Sequence, residues 1–194
     1  MNKFLFDKLN RFTFHISIKI ILVGYLILWA NNVSGQSKWS TYHSPKNDFS
    51  ILCPGGIMKY ESKTVITSIG PLINQVHYLD LPADHPNFLY TINVINYPEG
   101  SINKDSIEVI DELFDTTVES MSESTGCKIS YSQKSLQEDI PYVIVRLMDQ
   151  KSNTSIKSKV FLIEDSVYSL QVYTMHDNKL NDFIDKFINA FQVQ

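Results

Sequence analysis

The sequence predicts an α+β fold, with a mostly antiparallel β-sheet sandwiched by two main helices and preceded by an N-terminal signal helix. Two segments repeat apolar residues with the period of a helix, and several others alternate with the period of a strand. The loops between the last strands are too short for anything but antiparallel hairpins. The order is strands, helix, strands, helix, which favours this fold over a doubly wound parallel sheet.

Each predicted helix presents one apolar stripe. The stripes are Ile107, Ile110, Phe114, Val118 and Met121 in the first helix, and Leu180, Phe183, Ile184, Phe187, Ile188 and Phe191 in the second. Asp105 with Glu108 resembles a capping box, and Gly126 is expected to end the first helix. Asp177 is expected to cap the second helix. We interpret both stripes as core faces rather than as partner-binding grooves.

The strand period recurs in five segments, at residues 58–81, 88–97, 142–148, 157–163 and 167–173. Turns at 151–153 and 164–165 join the last three segments into antiparallel hairpins. Gly70 with Pro71, and the stretch 82–86, are expected to separate the earlier strands.

The N-terminus has the three zones of a cleavable export signal. Residues 1–19 carry four basic side chains against one acid, 20–30 are uncharged, and 31–35 are short and polar. Cleavage is predicted after Gly35, which leaves residues 36–194 as one domain in the periplasm or outside the cell. The alternative is an uncleaved membrane anchor, but the uncharged run spans only about 16 Å of helix against the roughly 30 Å of a bilayer core. No stable membrane span is expected after cleavage.

The charge of the exported part argues against nucleic acid as a partner. Removal of residues 1–35 takes four basic and one acidic residue from totals of 17 and 21, leaving 13 and 20 and a net charge of −7. Nucleic-acid binders draw most of their affinity from neutralising phosphates, which an acidic surface repels. Cys53 and Cys127 are both expected to point inward, because each begins or ends a strand-like alternation with its neighbours. The sequence leaves open whether they form a disulfide or stay as two separate buried thiols.

The sequence contains no motif that identifies a catalytic, cofactor or metal site. It lacks a nucleophile elbow, a phosphate-binding loop, a dinucleotide fingerprint and a C-x-x-C pair. One cluster combines side chains that bind divalent ions, namely His77, Asp80, Asp84 and His85. Ordinary loop polarity is the preferred interpretation, because Asp80 has the wrong strand parity to share a face with His77. His43 near Asp48, and Cys53 as a nucleophile, are weaker candidates still.

Several segments together resemble the PsbP-like superfamily. The resemblance rests on Trp39, on 42–54 (YHSPKNDFSILCP), on 90–98, and on the closing strand 168–173 with the helix end 187–191. It covers about residues 39–192 and consists of packing motifs. It implies a central antiparallel sheet between helices and a non-catalytic accessory or binding role, and it supplies no catalytic residues. The role of the family in photosystem II is not carried over.

Three functional hypotheses follow. The first is an exported, non-catalytic accessory protein that binds a protein or another component of the cell envelope, needs no cofactor and is not an enzyme. The second is a hydrolase whose site is assembled from distant strands. The third is a small-molecule carrier with a gap between sheet and helix. The side chains that would line that gap are Tyr78, Tyr90, Tyr97, Tyr168 and Tyr173.

Overall fold

A seven-stranded, wholly antiparallel sheet forms the centre of the computed structural model, which describes residues 38–46 and 48–194. Its strands are β3 (Lys59–Thr67), β4 (Gly70–Asp80), β5 (Asn87–Asn96), β6 (Lys128–Gln137), β7 (Ile140–Asp149), β8 (Thr154–Ile163) and β9 (Ser166–Met175), in the spatial order β3-β4-β5-β9-β8-β7-β6. A small second sheet joins β1 (Ser40–His43), β2 (Phe49–Cys53) and β10 (Gln192–Val193). The predicted signal, residues 1–35 with its cleavage site after Gly35, lies outside the described residues.

Two helices, α1 (Ile107–Thr125) and α2 (Asp182–Ile188), cover opposite faces of the seven-stranded sheet. The alternation along β8 shows this, because neighbouring side chains of a strand point to opposite faces. Phe161 packs with α2, whereas Val160 and Leu162 pack with α1. The predicted sandwich of an antiparallel sheet between two helices is therefore confirmed for the described chain.

The face under α2 is rich in aromatic residues and is also covered by the small sheet. We call it the aromatic face. Its fully buried large side chains include Phe49, Tyr90 and Phe187. The opposite face, under α1 alone, is built mainly from aliphatic residues such as Val143, Val145, Leu147, Ile156 and Val160. We call it the aliphatic face.

Tight turns with left-handed backbone join the later strands. Glu138 and Asp139 have φ of 51° and 65°, which is the pattern of a two-residue type I′ hairpin between β6 and β7. Asn153 and Glu164, in the two turns predicted from the sequence, also have positive φ. The predicted break at Gly70 and Pro71 is wrong by two residues, because both already pair with β3 as part of β4.

The helix ends differ from the predicted caps. Ser106, not Asp105, caps α1, and its hydroxyl accepts a hydrogen bond from the amide of Val109 at 3.4 Å. Gly126 ends α1 as predicted, with a left-handed φ of 69°. In α2 the cap is Asn181 rather than Asp177, which lies in a separate 3₁₀ turn (His176–Asn178).

The second predicted stripe is therefore longer than its helix. Leu180 precedes α2 and is exposed, so it does not belong to the core. Phe191 follows α2 and still packs against the aromatic face, where its ring centroid lies 5.5 Å from that of Phe49. The apolar period thus predicts burial at Phe191 correctly but not the length of the helix.

The two cysteines lie on opposite faces of the sheet as free thiols. Cys53 belongs to the aromatic face and Cys127 to the aliphatic face, and both are buried as expected. The neighbours of Cys127 do not follow it inward, since Ile129 and Tyr131 are exposed on the edge strand β6. In the described part of the chain, no helix is long and apolar enough to cross a membrane.

Candidate functional site

An apolar groove with a volume of about 620 Å³ opens between the first two turns of α1 and the tip of the β6–β7 hairpin. We call it the hairpin groove. Its apolar lining is formed by Ile107, Ile110, Phe114, Leu136, Ile140 and Leu162. The volume lies in the range of about 300–1,000 Å³ that is typical of ligand sites in proteins.

The mouth of the hairpin groove is open to solvent. Ile107 on α1 is 74% exposed and Leu136 on β6 is 67% exposed, although both line the groove. Phe114 at its base is 1% exposed. The groove therefore has a packed floor and uncovered apolar walls, which is unusual for residues that serve only the core.

Lys134 fixes the hairpin against the helix. Its Nζ lies 2.9 Å from the Asp115 carboxylate and 3.4 Å from that of Asp111, and it donates a hydrogen bond to the Asp111 carbonyl at 3.1 Å. These ion pairs connect β6, the edge strand of the sheet, directly to α1.

A buried lysine supports the same hairpin from the aromatic face. Lys159 is 6% exposed, and its Nζ donates a hydrogen bond to the Gln137 amide oxygen at 2.7 Å. The ammonium lies 4.3 Å from the ring centroid of Tyr142 and 4.7 Å from that of Phe161, so two cation–π contacts offset part of the cost of its burial. Burial lowers the pKa of Lys159 from its ordinary value.

The chemistry of the lining suits binding. Its titratable side chains are those of Lys104, Asp111, Lys134, Asp139 and Glu164. None of the lining residues that the structure describes is a histidine or a cysteine. An ionised acid or a lysine in this lining can pair with a charged ligand, and the Ser135 hydroxyl adds a hydrogen-bonding group.

The four residues His77, Asp80, Asp84 and His85, for which ordinary loop polarity is the preferred interpretation, do not come together as a metal site. Asp80 pairs with Lys59 at 2.9 Å on the surface. His85 stays within its own loop, where Nδ1 accepts a hydrogen bond from the Asn87 amide at 3.1 Å. Among the residues that the structure describes, no three His, Cys, Asp or Glu side chains group as a metal site requires.

His77 lies instead in an aromatic cage on the aromatic face. It is fully buried, its Nδ1 is hydrogen-bonded to the Tyr42 hydroxyl at 2.9 Å, and its ring centroid lies 4.8 Å from Tyr60 and 5.0 Å from Phe49. Burial lowers the pKa of His77 to about 4, with Asp48 opposing the shift slightly. The histidine therefore joins β1 of the small sheet to β4 of the large one in its neutral form.

The weaker candidates have ordinary structural surroundings. His43 Nδ1 lies 3.4 Å from the Gln194 side chain, while the Asp48 carboxylate accepts a hydrogen bond from Ser44. The Cys53 thiol contacts the Ser40 carbonyl at 3.6 Å, and burial raises its pKa, which disfavours the thiolate.

The proposed tyrosine gap does not exist as one space. Tyr90 and Tyr168 belong to the aromatic face, whereas Tyr97 and Tyr173 pack against the aliphatic face. Tyr78 donates a hydrogen bond to Glu61 at the surface. These five side chains therefore cannot line a single cavity.

The hairpin groove is not visible in the sequence, because the whole α1 stripe has the pattern of a core face. The stripe is buried at Phe114, Val118 and Met121, but Ile107 is exposed. The signal that could have revealed the groove was Leu136, a large apolar residue next to the β6–β7 turn in the polar second half of β6.

Comparison with known proteins defines the fold. No protein-family model and no curated protein sequence matches the chain. The solution structure of cyanobacterial PsbP (CyanoP) from Synechocystis sp. PCC 6803 superposes with a TM-score of 0.52 at 10% identity, covering 84% of this chain and 96% of that one. A Pseudomonas aeruginosa protein of unknown function gives a TM-score of 0.37 at 9% identity, with 72% and 85% covered. The chain therefore has a PsbP-like fold.

Proposed function

We propose that the protein is an exported, non-catalytic binding or accessory protein of the cell envelope and that it binds its partner in the hairpin groove. The observation that carries this proposal is the open apolar groove of about 620 Å³. Soluble proteins rarely expose a contiguous apolar patch unless it is an interaction site, and ligand sites are usually concave and apolar.

The non-catalytic part of the proposal is supported by the contents of the groove and by the surroundings of the histidines. Among the described residues, the lining offers carboxylates, amines and the Ser135 hydroxyl, but no histidine or cysteine that could act beside them. His77 is sealed among aromatic rings, where it has no access to a substrate. A second candidate, a small-molecule carrier, is favoured by the groove volume alone.

Export and the division of the chain are supported by the N-terminal sequence. A basic segment, an uncharged run and a short polar stretch precede Gly35, and residues 39–194 form a compact unit by themselves. The intact mass of the protein recovered from its own cells tests this. A mass equal to that of residues 36–194 supports cleavage after Gly35. The mass of the full-length chain, found in the membrane fraction, would overturn cleavage and support an uncleaved anchor.

Retention of envelope components by matched variants tests the binding function. The immobilised protein is compared with Leu136→Gln, which places a polar side chain in the groove wall, and with Ile57→Gln as the control. Ile57 is a similarly exposed apolar residue outside the groove lining. We expect an envelope component to be retained at micromolar concentration by the unmodified protein and by Ile57→Gln, but not by Leu136→Gln.

Two results would contradict the proposal. Retention of nothing would remove the binding function, and equal retention by all three proteins would place the binding site elsewhere. Native mass spectrometry of the protein from its own cells distinguishes the second candidate, because a carrier would hold a small additional mass that Leu136→Gln loses.

A further inference from the structure

We propose that the occupant of the hairpin groove is a basic, amphipathic segment of a partner protein. Its apolar side chains enter the groove, and its Lys or Arg side chains pair with the acids around the mouth. This inference rests on the proposed function, because it assigns a ligand class to the same site. It follows from the distribution of charge around the apolar floor.

The charges that line the groove divide into a paired set and a free set. Lys134 is neutralised by Asp111 and Asp115, so this cluster offers little net charge to a ligand. Asp139 lies in the β6–β7 turn and Glu164 in the β8–β9 turn, and both are exposed. Neither acid forms an ion pair with another described residue. Among the described lining residues, Lys104 is the one unpaired base, and it opposes the charge of these two acids.

Acids also dominate the segments that surround the groove. Asp105 and Glu108 flank the lining residues at the start of α1, and Glu138 precedes Asp139 in the β6–β7 turn. The helix carries only acidic charges, which are Glu108, Asp111, Glu112, Asp115, Glu119 and Glu123. A ligand at this site therefore meets an apolar floor under a negative rim.

An apolar floor under a negative rim favours one class of ligand. A fatty acid or an anionic lipid headgroup would match the floor but would be repelled by the rim, and a phosphate backbone would be repelled without gaining from the floor. A basic amphipathic segment satisfies both, because its apolar stripe is buried while its cations pair at the edge. Segments of this kind bind apolar grooves as helices with anchors at i, i+3, i+4 and i+7.

Three synthetic peptides of about 18 residues test the inference. The first has Leu anchors at helical spacing with Lys elsewhere, the second replaces every Lys with Glu, and the third scrambles the first so that the stripe is lost. Binding to the full chain is measured by fluorescence anisotropy. We expect the first peptide to bind at least about tenfold more tightly than the other two and to weaken as salt rises from about 50 to about 500 mM.

Two pairs of variants separate the floor from the rim. Leu136→Gln is expected to weaken the first peptide about tenfold relative to Ile57→Gln, because an apolar anchor loses its contact. The double variant Asp139→Asn with Glu164→Gln is expected to weaken it about threefold to tenfold and to reduce its salt dependence. Asp84→Asn, an exposed acid in the 81–86 loop, is the matched control and should leave binding unchanged.

The outcomes distinguish this inference from the function on which it rests. If the acidic peptide or oleate binds as tightly as the basic peptide and Leu136→Gln weakens it, the groove is a binding site but its occupant class is wrong. If the binding of each probe is the same in Leu136→Gln and Ile57→Gln, the groove itself is not a binding site. If the scrambled peptide binds as well as the first, attraction by net charge explains the result and the inference is overturned.

Discussion

The two faces of the central sheet are covered by different amounts of structure. The aromatic face lies under α2 and the small sheet together. Its rings pack edge to face, as between Phe187 and Tyr90 at 4.9 Å, or stacked, as between Phe161 and Phe191 at 5.6 Å. The aliphatic face lies under α1 alone. Where the hairpin β6–β7 extends beside the first turns of that helix, no further element among the described residues covers Ile107 and Leu136.

This difference suggests that one face of the sheet stabilises the fold and that the other face holds the binding site. Two covering elements close the aromatic face and bury its polar groups, including His77. A single helix leaves one end of the aliphatic face open, and that end holds the apolar groove. We therefore expect substitutions on the aromatic face to act on the free energy of unfolding, and substitutions at the groove to act on ligand affinity.

The largest expected effect compares one phenylalanine from each face. Phe187→Ala removes a fully buried ring from the aromatic face, and such truncations cost about 3–5 kcal/mol because they leave a cavity. Phe114→Ala removes a buried ring that already borders the groove, so water can enter the space it leaves. We expect its cost to be smaller by at least about 1 kcal/mol.

Urea denaturation followed by circular dichroism measures both values. The slope of each curve against urea checks that the variant unfolds cooperatively. Phe161→Leu, a milder change on the aromatic face, is the control and should cost less than Phe187→Ala. An equal loss in the free energy of unfolding for the two alanine variants would mean that the groove does not lower the cost of the cavity left at Phe114. The two faces would then not differ in how strongly their buried rings stabilise the fold.

The next effect concerns pH and the histidine of the aromatic face. An unfolded histidine has a pKa near 6.5, whereas burial lowers the pKa of His77 in the folded protein to about 4. As the pH falls from about 6.5 towards 4, the unfolded chain takes up the proton first. The free energy of unfolding should therefore fall over this window by up to about 3 kcal/mol, and the stabilising effect of the neutral ring is complete only above it.

The variant His77→Gln tests this assignment, since glutamine can keep a hydrogen bond to Tyr42. The groups that face the ring are Tyr42, Tyr60 and Asp48. We expect His77→Gln to flatten the dependence of stability on pH between about 4 and 6.5, while the exposed His43→Gln keeps the slope of the unmodified protein. An unchanged slope in His77→Gln would mean that another group causes the acid sensitivity.

The sequence predicted the parts of the fold that depend on local periodicity. Alternation along 142–148 and 167–173 identified β7 and β9, and the short turns between β7, β8 and β9 required antiparallel pairing. It could not locate the ends of α2, because Leu180 and Phe191 fit the helical period although Leu180 is exposed and Phe191 is partly buried outside the helix.

The candidate site was not predictable in the same way. His77 and His85 are eight residues apart in the sequence, yet the β4 ladder turns His77 into the aromatic cage while His85 remains in a loop. The groove arises from the position of α1 over the sheet and from the Lys134 contacts with Asp111 and Asp115. Contacts of this range leave no spacing pattern in one sequence.

The smallest expected effect completes the comparison of the faces. Leu136→Gln and Ile107→Gln replace large apolar side chains that are mostly exposed, so each should change the free energy of unfolding by no more than about 0.5 kcal/mol. The same change at Ile92, which is fully buried on the aromatic face, places an amide without hydrogen-bond partners in the core and should cost several-fold more. Ile57→Gln is the control for an exposed apolar residue outside the groove. A loss above about 1 kcal/mol at Leu136 or Ile107 would indicate that these side chains stabilise the fold, and their exposure would then no longer argue for a ligand.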